Sequence, residues 1–170
     1  MSEADSDLCA VTGLFHVLVK TNDFEKTIRF YRKVLGLREA PRPAMGNKGA
    51  WLAVSTPIGE QIIHVWAEGA GMGPTGASPY GTGTIDHVSL VAVGHEAFRR
   101  RFKRYGLPWR EFMIPGTTLW QLFVYDPSGV QIELTFDAEG EPEPHGPIAP
   151  ENAYKVGEDF FNLETYPSLD

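Results

Sequence analysis

Val124–Phe136 reads VYDPSGVQIELTF, and its second half decides the fold. Asp126-Pro127-Ser128-Gly129 is turn chemistry: proline presets φ, and glycine permits the left-handed step that closes the turn. After it, Ile132, Leu134 and Phe136 alternate with Gln131, Glu133 and Thr135. That is the period of a strand with one apolar and one polar face. On a face open to water, Glu133 needs no explanation. On a face that lines a pocket, an ionised carboxylate needs a partner, and a metal ion is a good one.

The same design occurs earlier in the chain. PIGEQIIHVW at 57–66 and PSGVQIELTF at 127–136 share Pro-x-Gly-x-Gln-Ile. Gly36 and Gly106, Pro57 and Pro127, and Gly59 and Gly129 all stand 70 residues apart, while His16 and His87 stand 71 apart. Between these landmarks the patterns repeat. A strand at 13–20 leads to the capping residues Thr21-Asn22-Asp23, then to Phe24, Ile28, Tyr31 and Leu35 at helical spacing, with Gly36 as the stop. Strands follow at 50–55 and 60–66. The second round has a strand at 84–92, a helix over 95–105 stopped by Gly106, and strands near 109–114, 118–125 and 130–136. The pattern predicts an α+β protein of two βαβββ modules, at 12–67 and 84–137, joined by a Gly/Pro/Ser-rich linker at 68–83. Residues 138–170 read as an irregular, acidic, Pro-rich tail whose Phe160, Phe161 and Tyr166 dock on the body.

Composition narrows the function. The chain has 170 residues, 42% hydrophobic and 22% charged, as ordinary globular domains do. A formal net charge of −7 argues against a nucleic-acid partner, and Arg99, Arg100, Arg101 and Arg104 read as one solvated helix face. Cys9 is the single cysteine, so no internal disulfide forms and a reducing cytoplasm fits. Neither a signal-peptide core nor a long apolar run occurs, so no membrane association is expected.

His16 and His87 fall in otherwise apolar first strands, at equivalent places in the repeat. One such histidine reads as a core residue; two, with Glu133 on a last strand, make a set of two imidazoles and one carboxylate with positions left open for substrate. His64 is less determinate, since strict repeat alignment sets Ile63 against Glu133, and a shift of one residue exchanges the faces of a strand. A bulge would put Ile62, His64 and Trp66 on the pocket face and Ile63 and Val65 on the helix face, the arrangement that avoids an isolated buried imidazole. His64 is then a fourth ligand or an acid/base. Trp51, Trp66, Phe112, Trp120 and Phe123 are expected to line the pocket, which suits a planar or hydrophobic substrate. His95 reads as a helix-start residue, and His145 lies in the tail.

FHVLVKTNDFEKTIRFYRKVLGL, IDHVSLVA and LFVYDPSGVQIELTF together resemble the vicinal oxygen chelate superfamily, which holds glyoxalases, bleomycin-resistance proteins and extradiol dioxygenases. The resemblance covers residues 12–137. It implies paired modules curling into a half-barrel around one divalent metal held by His16, His87 and Glu133, with the region of His64 as the fourth position. It also implies a homodimer and a small-molecule substrate with adjacent oxygens.

Three activities follow from that likeness. An Fe(II) extradiol-type dioxygenase ranks narrowly first, with His64 shuttling protons, although Phe123 and Pro115–Thr118 stand where that chemistry has a tyrosine and a histidine. A glyoxalase- or epimerase-type lyase or isomerase working through an enediolate comes next, with Mn(II), Ni(II), Co(II) or Zn(II) as alternative metals. A metal-free binding protein of the bleomycin-resistance type is third. A fosfomycin-modifying transferase is disfavoured because Leu18 replaces a threonine expected there.

Overall fold

The turn at Asp126–Gly129 and its alternating strand belong to one of two four-stranded sheets in the computed structural model, which describes residues 14–56, 59–72 and 74–170. Cys9, Gly13 and Pro57 lie outside the described residues. The first sheet comprises β1 (Val17–Lys20), β2 (Arg38–Ala40), β3 (Gly49–Thr56) and β4 (Gly59–Trp66), in the order β1-β4-β3-β2. The second comprises β5 (Val88–Val91), β6 (Trp109–Met113), β7 (Leu119–Tyr125) and β8 (Gln131–Asp137), in the order β5-β8-β7-β6. In each, the first strand runs parallel to the last and the other pairings are antiparallel. Neither sheet closes on itself, which is the α+β half-barrel architecture.

Each crossover is helical. Asp23 caps α1 (Phe24–Arg29) by accepting from the Lys26 N–H at 3.0 Å. The helix widens into a π-helical stretch, Phe30–Val34, where the Leu35 N–H reaches back to the Phe30 carbonyl. Phe30, Tyr31 and Val34 are thereby fully buried. Gly36 and Gly106, at φ +79° and +66°, end the two helices in the left-handed conformation that glycine adopts without strain. The second helix is α2 (His95–Arg104).

Both helices share one apolar core, with Phe30, Val34 and Phe102 among Leu52, Ile63, Leu122, Val124, Ile132 and Phe136. Full burial of each such side chain contributes about 1.5–3 kcal/mol. Two polar ties join the modules across it. The Tyr31 hydroxyl donates to Asp126 Oδ2 at 3.0 Å, and Arg101 donates to the Val34 carbonyl at 2.8 Å. The tail docks as expected: Tyr166 donates to the Tyr125 carbonyl at 2.9 Å, and Phe160 and Phe161 pack on the Tyr125 ring at 4.7 and 5.5 Å.

The structure departs from the sequence reading in two places. β2 is an additional strand of three residues, too short to show alternation. The first strands are shorter than expected, so His16 and His87 stand just ahead of β1 and β5 rather than in mid-strand. The parallel ladders open at Val17–Ile63 and Val88–Ile132, because β4 is irregular beside Ile62 and β8 has only just left its turn. Among the described residues no helix is long and apolar enough to cross a membrane.

Candidate metal centre and substrate cavity

The register of β8 puts Glu133 opposite both Ser89 of β5 and Phe123 of β7. These residues share the face that α2 does not cover. Glu133 is only 6% exposed, and its Oε1 accepts hydroxyl hydrogens from Ser89 and Thr135, each at 2.6 Å. Two short bonds to one oxygen fix the carboxylate plane and leave Oε2 directed at His87, whose Nε2 lies 3.1 Å away. The other ring nitrogen, Nδ1, is 2.7 Å from Asp86 Oδ1.

Both nitrogens of His87 therefore face carboxylate oxygen. Two N–H donors would satisfy that arrangement; so would one N–H toward Asp86 and a cation between Nε2 and Glu133. The spacing fits both cases, since adjacent ligand atoms on an octahedral ion with bonds of about 2.0–2.2 Å also stand about 3.0 Å apart. An Asp–His pair behind a ligating nitrogen is also the usual way proteins fix the ring tautomer. His87 and Glu133 could serve as two adjacent ligands of a divalent ion.

His64 occupies the matching place in the first sheet. Leu18 pairs with His64 across β1 and β4 as Ser89 pairs with Glu133 across β5 and β8. The shift that permits this is visible in β3–β4, where Leu52 pairs with Ile63 and the next residue, Ala53, pairs with Gln61. Ile62 is the extra residue, a bulge in the sense of two residues opposing one. Beyond it Ile63 and Val65 are fully buried in the core, with Trp66 on the His64 face. The His64 ring is sandwiched between His16, at 3.9 Å between centroids, and Trp51, at 4.6 Å. Burial, then the neighbouring His16 and Arg42, lower its pKa, so the imidazole is neutral at neutral pH. His64 Nε2 and His16 Nδ1 are both buried without a hydrogen-bond partner.

The expected residues thus come together as two pairs, His87 with Glu133 and His16 with His64. Among the described residues, the three metal-binding side chains whose ligand atoms all lie within 4.8 Å of one another are different ones, His95, Glu111 and His145, on the opposite face of the second sheet. Of the expected pocket walls, Phe123 borders His87 at 5.9 Å and is stacked under Tyr154 of the tail at 4.1 Å. Phe112 lies beside the same tyrosine at 6.4 Å. Trp120 pairs with Phe136 on the helix-covered face instead, against His95 and His145. A cavity of about 430 Å³ opens beside Asp86 and Gln131, walled by the linker at Tyr80–Gly83 and the tail at Tyr154 and Phe161. The tail therefore forms part of the mouth. Ser89 and Thr135 were legible in principle, as hydroxyls in the same alternation as Glu133. Tyr154 carried no signal.

Paired βαβββ modules, each with a histidine ahead of its first strand and a polar residue centred on its last, are repeated across the two sheets. The chain belongs to the Glyoxalase/Bleomycin resistance protein/Dioxygenase superfamily, which residues 13–134 match. Glyoxylase I 4 of Arabidopsis thaliana is 26% identical over 137 residues, 79% of this chain and 76% of that protein. Two solved structures are similar in fold. Lactoylglutathione lyase from Agrobacterium tumefaciens has a TM-score of 0.54 at 16% identity, covering 76% of this chain and 97% of that one. A mutant of the fosfomycin resistance protein FosX from Listeria monocytogenes, complexed with Mn(II) and 1S,2S-dihydroxypropylphosphonic acid, has a TM-score of 0.55 at 15% identity, covering 74% and 92%.

Proposed function

We propose that this protein is a metal-dependent lyase or isomerase of the glyoxalase type, moving a proton between neighbouring carbons of a small substrate with adjacent oxygens. The observation that carries this reading is the equivalence of His64 and Glu133: the two last strands present a neutral imidazole and a carboxylate at the same position. His87 and Glu133, with His16 as third ligand, would hold one divalent ion. That ion, when bound, supplies the positive charge that acidifies the carbon beside the substrate's oxygens.

The residues of the chain do the rest. His64, unprotonated at neutral pH, takes the proton from one carbon and returns it to the next. Trp51 stacks on its ring and fixes its plane. Ser89 and Thr135 keep Glu133 aimed at His87, and Asp86 keeps the His87 ring in place. The cavity that opens beside Asp86 combines the rings of Tyr80, Tyr125, Tyr154 and Phe161 with Asp86, Gln131, Glu158 and Asp159, so it suits a substrate with both a planar or apolar part and polar groups. The name of the Arabidopsis relative and that of the Agrobacterium lyase agree with this reading.

A homodimer is part of the proposal. β1 and β5 are edge strands of their sheets, and Leu14, Phe15, Ile85 and Val91 beside them are largely exposed. Unpaired edges flanked by apolar side chains favour cover by a second copy.

The test is run in D₂O on protein loaded with Ni(II), Co(II), Zn(II) or Fe(II), using 2-hydroxy carbonyl compounds and hemithioacetals, with dissolved oxygen monitored. Deuterium should enter at the carbon beside the carbonyl without oxygen loss. Oxygen consumption with a catechol panel, and no deuterium incorporation, would establish the dioxygenase reading instead.

A further inference from the structure

The helix-covered face of the second sheet carries a buried polar cluster that the proposed reaction does not use. Glu111 of β6 is 1% exposed and His95, the first residue of α2, is 0% exposed. The His145 side chain, 7% exposed, enters from the tail, and its Nε2 lies 3.8 Å from Glu111 Oε2. The His95 and His145 rings stand 4.5 Å apart between centroids. Trp120 and Phe136 wall the cluster on the sheet side.

The hydrogen-bond inventory of this cluster is incomplete in one direction. Both nitrogens of His95, both carboxylate oxygens of Glu111 and Nε2 of His145 are buried with no hydrogen-bond partner. Leaving one buried polar atom unsatisfied costs about 1–3 kcal/mol, so five together need a reason. Arg99 supplies part of one: its Nε lies 3.4 Å from Glu111 Oε2, outside hydrogen-bonding geometry. The Trp109 indole N–H, itself without another partner, is a second donor near the carboxylate. His145 Nδ1 faces the carbonyl of Gly146, which sets the tautomer with its lone pair on Nε2, toward the cluster.

We propose that His95, Glu111 and His145 form a second metal site, for a zinc-like divalent transition ion, which staples the tail to the body. Two imidazoles and one carboxylate are the donor set such ions take, with the fourth tetrahedral position left to water. The ligand atoms already lie within 4.8 Å of one another, and tetrahedral binding draws them to about 3.4 Å. The Glu111 carboxylate faces His145 through Oε2, and Arg99 lies beside the same oxygen as a neighbouring positive charge. The tail is delivered to the site by backbone bonds: Glu141 accepts from the Gly94 and His95 N–H groups at 3.0 and 2.6 Å, and the Gly146 N–H donates to Glu96 at 3.0 Å. Because the same tail carries Tyr154 over Phe123, an ion here also steadies the cavity mouth on the other face.

The test is the zinc content of wild-type protein and the His145→Ala and His145→Gln variants, by mass spectrometry after loading and desalting. Limited proteolysis of residues 138–170 is followed in parallel. Both variants should bind one ion per chain fewer than wild type: from two to one if the His87/Glu133 site also holds zinc, from one to none if it does not. Chelation should speed tail cleavage in wild type and leave the variants unchanged. Equal zinc content in wild type and both variants overturns the site; tail cleavage insensitive to chelator overturns its stapling role.

Discussion

His64 on β4 and Glu133 on β8 hold the same position in their modules, each beside the second residue of the adjacent first strand, Leu18 and Ser89. The environments differ. Glu133 is fixed by two hydroxyls and faces His87, whereas His64 lies between two rings with its Nε2 unpartnered. One position carries a carboxylate fixed against an imidazole, and the other a neutral ring with an unpartnered nitrogen.

Glu133→Ala should abolish metal binding at the proposed centre and all turnover while leaving the melting temperature within a few degrees. The side chain faces away from Ile132, Leu134 and Phe136, so the apolar core is untouched. Ser89→Ala removes one of the two bonds that aim the carboxylate, and metal affinity should fall about 10–100-fold, as for other supporting partners of ligands. Metal titration of the two variants checks both outcomes.

For His64→Ala, turnover should fall roughly 10²–10⁴-fold with metal content unchanged, the scale of general acid–base catalysis. Since burial and its neighbours lower the His64 pKa, the acid limb of kcat/KM should lie below pH 6.5 and vanish in the variant. Joint loss of metal would make His64 a ligand. A drop in melting temperature alone would make it structural.

Asp126 governs a pH effect on stability rather than on chemistry. Burial pushes its carboxyl up to about 6 from an ordinary 3.8, against the N–H donors of Ser128 and Val130 and the Tyr31 hydroxyl. The folded state therefore binds the proton more tightly than the unfolded chain. Its contribution is complete below pH 3.8 and is lost as pH rises through about 6, on the order of 2–3 kcal/mol. Asp126→Asn keeps a carbonyl for both backbone donors, so its stability relative to wild type should increase between pH 4 and 7. Denaturant midpoints across that range measure the difference.

Light scattering at micromolar concentration should report a dimer. A monomer would mean that the exposed Leu14, Phe15 and Val91 remain in water.

Most of the architecture was legible in the sequence because it is periodic. The alternation after Gly129, the capping at Asp23 and the glycine stops each express a local rule, and the repeat makes each module evidence for the other. The Ile62 bulge was legible as well, because only the shifted register buries Ile63 and Val65 and avoids an isolated buried imidazole at His64. The shorter first strands were not, since where a parallel ladder opens depends on the partner strand. The His95/Glu111/His145 cluster was half legible. Glu111 between Trp109 and Met113 is a carboxylate in a strand's apolar phase, but only the path of the tail brings His145 to it.

The most direct measurement is an anomalous difference map from crystals of the protein grown with Mn(II) or Ni(II). A peak should appear within about 2.0–2.2 Å of both His87 Nε2 and Glu133 Oε2, with an imidazole nitrogen of His16 as third ligand. A map with no peak there, in crystals whose soaking solution saturates other sites, would contradict the account.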